Sequence, residues 1–324
     1  MASPLAKIGI ISIGDMGMGI ARLLVANGFS VATNAKGRSS DTLERAKSAQ
    51  VELLKSDEDL TQACSVILSV VPPRDAVATA QRIADALGGP YRRSPDDPLY
   101  FADLNAVAPS SVKQIAALFD SSSTKDSVRF VDGCILGSPP SPKQTGSDVE
   151  WELPSIPTSG PYRLSTIPGY GAKLATALNT RHISPVIGAA SGLKMCFASF
   201  SKGFTSLAIQ AFTTAQRLGV LPDLQSELRD VLPAHYKLAE RGVTHMAPKA
   251  YRWVGEMEEI ARTLAEEGGF PEDSFRGAAA VYRAVADDTV LGQEKIGKRK
   301  RGTTVEDVAT AMVEGMQTKR KKIE

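Results

Sequence analysis

Residues 8–31 read IGIISIGDMGMGIARLLVANGFSV, and the fold follows from how this stretch divides. IGIISI has the length and apolar character of a strand covered on both faces of a parallel sheet. After a turn, Ile20, Ala21, Leu23, Leu24 and Val25 recur at helical spacing. Gly28 stops that helix, and a second apolar run opens at Phe29. A strand, a glycine turn, a helix and a second strand form the setting in which the fingerprint G-x-G-x-x-G carries weight. Here Ser12 stands in the first glycine place, and Gly14 and Gly17 fill the other two. Gly14 lets backbone approach a pyrophosphate with no Cβ between, and Gly17 lets the helix pack closely on the strand. The helix N-terminus then offers N–H groups and positive dipole to phosphate. Serine costs backbone freedom in the tight turn but leaves the phosphate path open, and Asp15 and Met16 complete the turn.

The alternation continues downstream. FSVATN (29–34), VILSVV (66–71), LYFADL (99–104) and VRFVD (128–132) are strand-length apolar runs. Between them, Asp41-x-x-Glu44 reads as a capping box and Ser56-x-x-Asp59 opens a short helix. Helical patterns over 75–87 and 109–119 complete a doubly wound α/β arrangement. Residues 138–161 hold six prolines and little periodicity, which predicts a long irregular loop. A strand-like YRLSTI (162–167), a helix over 171–179 and a strand-like HISPVI (182–187) then finish the first domain. The rest is helical: a long helix over 190–218 ended by Gly219, and three more near 223–240, 248–267 and 272–288. The expected fold is α/β, a Rossmann-like doubly wound sheet over residues 1–188, followed by an all-α C-terminal domain over 189–292. Residues 293–324 read as a basic, frayed tail.

Composition narrows the function classes. The 324 residues are 43% hydrophobic and 23% charged, as in a globular protein, and the net charge of +2 is too small to point to nucleic acid. Cys64, Cys134 and Cys196 lie far apart in apolar runs and read as small buried hydrophobes in a reducing compartment. His182, His235 and His245 show no metal-ligand spacing, so no metal is expected. No apolar run approaches the ~18 residues that span a bilayer, and no signal core opens the chain. These features predict a cytoplasmic protein. The basic runs KIGKRKRG (295–302) and KRKK (319–322) read first as solvated surface, and second as a nuclear-import or polyanion patch.

The end of the second strand bears on the cofactor. An NAD site wants an acid there, to accept from the ribose hydroxyls. This chain has Asn34-Ala35-Lys36-Gly37-Arg38-Ser39-Ser40, with no acid before Asp41. Lys36 and Arg38 supply charge, and Ser39 supplies a hydroxyl and an amide at a helix start. That set, with Asn34, suits the 2′-phosphate of NADP(H), which Arg recognises with two parallel donors.

Five segments together resemble a known family: SIGDMG (12–17), VVPP (70–73), DLNAVAP (103–109), VDGCILGSPP (131–140) and GAASGLKM (188–195). They are similar, in order, to the β-hydroxyacid dehydrogenases, which include 6-phosphogluconate and 3-hydroxyisobutyrate dehydrogenases. SGLKMCFASFSKG and DVLPAHYKLAER most resemble a fungal and bacterial branch with a distinct helical C-terminal domain. The resemblance implies that Gly14, Asp15, Met16 and Gly17 line the pyrophosphate and that Arg38 meets the 2′-phosphate. Val71 and Pro72 would flank the adenosine–nicotinamide path, and Asn105 would stand near the nicotinamide ribose. Gly133, Cys134, Ser191 and Lys202 would serve the substrate, and Lys194 would transfer the proton. Lys194 also makes physical sense unaided, since a helix N-terminus and partial desolvation both disfavour the ammonium.

One position departs from the family. Its usual asparagine one turn after the lysine is Ala198 here, beside Ser199 and Ser201. The expected activity is an NADP-dependent oxidoreductase acting on a small hydroxy or keto substrate. The alternatives are an imine (C=N) reductase on the same fold, or a non-catalytic NADPH sensor or scaffold. The apolar Phe197, Phe200, Phe204, Leu207 and Phe212 of the long helix predict a homodimer interface.

Overall fold

A computed structural model describes residues 3–89, 93–120, 124–145, 148–295 and 297–323. The chain divides into two compact units, Met1–Lys194 and Met195–Glu324. The division falls six residues beyond the expected boundary at residue 188.

The first unit is built on strands β1 (Lys7–Ile11), β2 (Ser30–Asn34), β3 (Glu52–Leu54), β4 (Val66–Ser69), β5 (Leu99–Asp103) and β6 (Val128–Gly133). Helices α1 (Asp15–Ala26), α2 (Ser40–Ser48), α3 (Asp57–Ala63), α4 (Pro73–Leu87) and α5 (Pro109–Ala117) connect them in turn. The six strands are parallel, in the order β3-β2-β1-β4-β5-β6. The order reverses between β1 and β4, the point at which sheets of this kind bind ligands beyond the strand carboxyl ends.

Strand alternation sorts the core into two layers. Ile8, Ile10, Val31, Leu68, Ala102 and Val131 face one side, with Ile20 and Leu24 of α1. Ile67, Leu99, Phe101, Val128 and Phe130 face the other, with Ile83 of α4 and Ile115 of α5. The capping at Ser56 is as read, with its hydroxyl accepting from Asp59 N at 3.0 Å. At α2 the cap is Ser39, which accepts from Thr42 N, two residues ahead of the Asp41 expected to start the helix.

The proline-rich stretch is more ordered than its composition suggested. It contains the antiparallel hairpin β7 (Ser141–Thr145) and β8 (Asp148–Glu152), and then β9 (Ile156–Ser159). Strand β9 runs antiparallel to β6 and extends the sheet. YRLSTI is not a strand: Leu164–Thr166 form a 3-10 turn, because Leu164 and Ile167, three residues apart, are the ones buried. Helix α6 (Gly171–Ala177) and β10 (Thr180–Ser184) follow, with β10 parallel to β9 at the sheet edge.

Helix α7 (Ala189–Ala198) leads into a π-helical turn, Ser199–Gly203, and then α8 (Phe204–Leu218). The expected single long helix is therefore interrupted. Beyond it lie α9 (Leu221–Val231), α10 (Pro233–Met246), α11 (Ala250–Glu266), α12 (Asp273–Asp288) and α13 (Val305–Ile323). Pro233 begins a new helix where one run over 223–240 was expected, since proline at N1 gives up no hydrogen bond.

The expected tail is also structured. Val305, Val308, Ala309 and Met312 of α13 are buried at i, i+3, i+4 and i+7 spacing. Arg299 donates to the Thr244 carbonyl, and Arg301 pairs with Asp307. Of the basic run 319–322, Lys319 pairs with Asp288, and the other side chains lie outside the described residues. Cys64 and Cys134 are buried as expected, but Cys196 is exposed. Among the described residues no helix is long and apolar enough to cross a membrane.

Candidate active site

The glycine turn has the geometry its sequence asks for. Ser12 adopts φ = +77°, the left-handed region that glycine would enter freely. A Cβ on Gly17 would lie 2.1 Å from the Ser12 carbonyl oxygen, so α1 meets the turn at a distance only glycine permits. Gly14 is the N-cap of α1, no side chain caps the helix, and a Cβ there would meet nothing within 4 Å. This open space at the Gly14 N-cap, beside Asp15 and Met16 at the start of a helix with no side-chain cap, could hold a pyrophosphate.

Arg45, which sequence reasoning overlooked, reaches this turn from α2. Its Nε donates to the Ile13 carbonyl at 2.8 Å, and its Nη2 to Thr42 Oγ1 at 3.1 Å. Only the approach of α2 to the β1–α1 turn brings these distant residues together.

At the end of β2, Asn34 is held on both sides. Its Oδ1 accepts from Lys36 N at 2.9 Å, and its Nδ2 donates to Asp57 Oδ1 at 2.7 Å. Arg82 grips Asp57 through Nε at 2.9 Å and Nη2 at 2.6 Å, so this carboxylate is already engaged. Lys36, Arg38 and Ser39 are exposed, and the cations face solvent.

Further along the carboxyl edge, Val71 and Pro72 lie between β4 and α4. Val71 N donates to Asn105 Oδ1 at 2.7 Å, while Asn105 Nδ2 donates to Asp103 Oδ2 at 2.8 Å and Ser69 Oγ at 3.0 Å. Asn105 is therefore buried and internally satisfied, and fixes the Val71 loop against β5. Burial pushes the Asp103 carboxyl up to about 7, against the two hydrogen bonds from Asn105 that favour its ionised form.

Gly133 closes β6. Cys134, next to it, is buried, and desolvation pushes its thiol up to about 12, which makes it an inert neighbour rather than a nucleophile. Lys194 extends from α7 and donates its Nζ to the Ile135 carbonyl at 2.7 Å, beside the end of β6. Ser191, one turn earlier, is buried and donates to Asp132 Oδ1 at 2.7 Å. The carboxyl edge thus gathers Gly133, Cys134, Ser191 and Lys194.

Lys202 belongs to the second unit. There it pairs with Glu256, and its Nζ lies 5.1 Å from the centre of the Trp253 ring. Ala198, the departure from the family asparagine, is buried, and the hydroxyls of Ser199 and Ser201 turn back onto their own helix carbonyls.

Residues 7–90 match the family model "NADP oxidoreductase coenzyme F420-dependent", and residues 215–285 match "Domain of unknown function (DUF1932)". An uncharacterized 28.5 kDa protein of Methanothermus fervidus is 23% identical over 225 residues, covering 69% of this chain and 76% of that one. A conserved hypothetical protein of Sinorhizobium meliloti is 22% identical with a TM-score of 0.60, covering 97% of each chain. The Mycobacterium tuberculosis 3-hydroxyisobutyrate dehydrogenase, solved with L-serine, has a TM-score of 0.60 at 14% identity, covering 97% of this chain and 99% of its own. At these identities the structures establish a shared fold. The chain thus carries a segment matching the F420-dependent NADP oxidoreductase model ahead of one matching DUF1932, on a fold shared with 3-hydroxyisobutyrate dehydrogenases.

Proposed function

We propose that the protein is an NADP(H)-dependent oxidoreductase acting on a small hydroxy or keto substrate, with Lys194 as the proton-transfer residue. The observation that carries this reading is the Lys194 amine, held on the Ile135 carbonyl at 2.7 Å beside the end of β6. When bound, the nicotinamide supplies or takes up the hydride. In the oxidising direction Lys194 takes the substrate hydroxyl proton, and the C–O bond becomes a carbonyl. In the reducing direction its ammonium returns that proton to the forming alkoxide.

The uncapped α1 N-terminus with open space over Gly14 supports pyrophosphate binding at the turn. The exposed Lys36 and Arg38, and an Asp57 already held by Arg82, support NADP(H) over NAD(H).

Two experiments test the reading. Titration followed by fluorescence of Trp151 and Trp253 should show NADPH binding far more tightly than NADH, with the preference lost in Arg38→Ala. Equal affinity for the two in the parent would overturn the cofactor assignment. A screen of hydroxyacids, ketoacids and imines identifies the substrate, and Lys194→Ala should then lower kcat by roughly 10²- to 10⁴-fold while leaving NADPH affinity unchanged. Turnover confined to imines would move the chemistry to C=N.

We also infer a homodimer, supported by the exposed apolar side chains Phe197, Phe200 and Leu207 along the interrupted long helix.

A further inference from the structure

The start of α7 has no capping side chain of its own, and its N–H groups are met from the sheet. Asp132, on β6 and fully buried, accepts at Oδ2 from Gly188 N at 2.8 Å and from Ser191 N at 3.4 Å, and at Oδ1 from the Ser191 hydroxyl at 2.7 Å. Ser159 on β9 completes the set. Its Oγ accepts from Ala190 N at 3.0 Å, so its own proton points to Asp132 Oδ2 at 2.7 Å. Every partner of Asp132 in this set is a donor, and an ionised carboxylate satisfies them all. Three residues further along the same strand end, the Ile135 carbonyl receives the Lys194 amine. The helix start and the amine are thus pinned to one short segment, 132–135.

We infer that Asp132 is a positioning residue: its carboxylate caps α7 from the sheet and thereby sets where the Lys194 amine stands. This rests on the reading of Lys194 as the proton-transfer residue. The placement is not something the helix could achieve alone. An unanchored first turn frays, and Lys194 lies within two turns of the helix start. The titratable groups around the cap are Asp103, which is the register partner of Asp132 on β5, Cys134 and Lys194. Lys113 of α5 passes close to Gly188.

The test uses the full chain without added ligand. Its lysines are dimethylated with ¹³C-formaldehyde, and the Lys194 resonance is assigned by its absence in Lys194→Arg. In Asp132→Asn, whose shape is conserved, the loss of a buried negative charge should move the Lys194 titration to lower pH. Amide exchange at Gly188, Ala190 and Ser191 should quicken by about tenfold or more, the equivalent of about one lost hydrogen bond. A Lys194 titration and α7 exchange unchanged from the parent would overturn the inference while leaving the role of Lys194 standing.

If Asp132→Asn does not fold, Ser159→Ala reads the same link without altering charge. Exchange at Ala190 should then quicken, and unchanged exchange there overturns the inference. Undiminished turnover in Lys194→Ala, by contrast, would overturn the reading on which the inference rests.

Discussion

Ser12 occupies left-handed backbone at φ = +77°, where a β-branched side chain is strongly disfavoured. Ser12→Val should therefore lose about 2 kcal/mol in urea denaturation, while Ser12→Gly should be at least as stable as the parent. A valine variant as stable as the parent would contradict the turn geometry. Gly17→Ala should abolish NADPH binding, because its Cβ would stand 2.1 Å from the Ser12 carbonyl oxygen. Asp103 makes a prediction about pH. Burial raises its folded carboxyl to about 7, above the unfolded value. The folded state therefore holds this proton more tightly than the unfolded chain between about pH 4 and 7. The stability it contributes is fully present below that window and lost as pH rises through 7. Urea midpoints at pH 5 and pH 8 should differ less in Asp103→Asn than in the parent, and an equal difference would sink the assignment.

At the scale of elements, the π-helical turn Ser199–Gly203 is held from the side by α11 and α12. Lys202 pairs with a Glu256 that is almost fully buried, and the Tyr282 hydroxyl donates to the Lys202 carbonyl at 2.5 Å. Glu256→Gln removes the carboxylate that neutralises a mostly buried ammonium, and this should destabilise the chain by about 3 kcal/mol. Because Lys202 lies over Trp253, the same substitution should change the tryptophan emission of the folded protein. Unchanged stability and emission would show that the pair contributes nothing to the turn. The hairpin β7–β8 and strand β9 make a related point. Their prolines removed the period-2 signal, yet β9 still finds pairing partners in β6 and β10.

For the whole molecule, the proposed dimer follows from what the second unit leaves uncovered. Phe200 is 83% exposed and Leu207 63%, and with Ser199, Phe204, Leu238 and Phe275 they line a groove of about 420 Å³. A monomer rarely leaves such a surface to water. Light scattering should give twice the chain mass for the parent and the single-chain mass for Leu207→Glu. A monomeric parent would exclude the interface.

What the sequence determined by itself was whatever depends on local period and local backbone demand. The strand-helix alternation through residue 132 set five of the six parallel strands, while the three-residue β3, too short for a periodic signal, is defined by its pairing with β2. Gly17 was legible because the helix start has no room for a side chain there. The stripe of α13 was equally local, but the basic residues around it drew the reading toward a solvated tail. Tertiary structure decided what joins distant residues. Arg45 meets Ile13, Asp57 holds Asn34, and Asp132 and Ser159 cap α7 only because the sheet order brings their segments together. Asp132 lies in the segment 131–140 that marked the resemblance, but neither it nor Arg45 nor Asp57 showed its partner there, since a buried polar group is chosen by the partners that surround it in three dimensions. Lys194 belongs to both accounts: its segment marked it in the sequence, and the Ile135 carbonyl on a neighbouring element fixed where its amine stands.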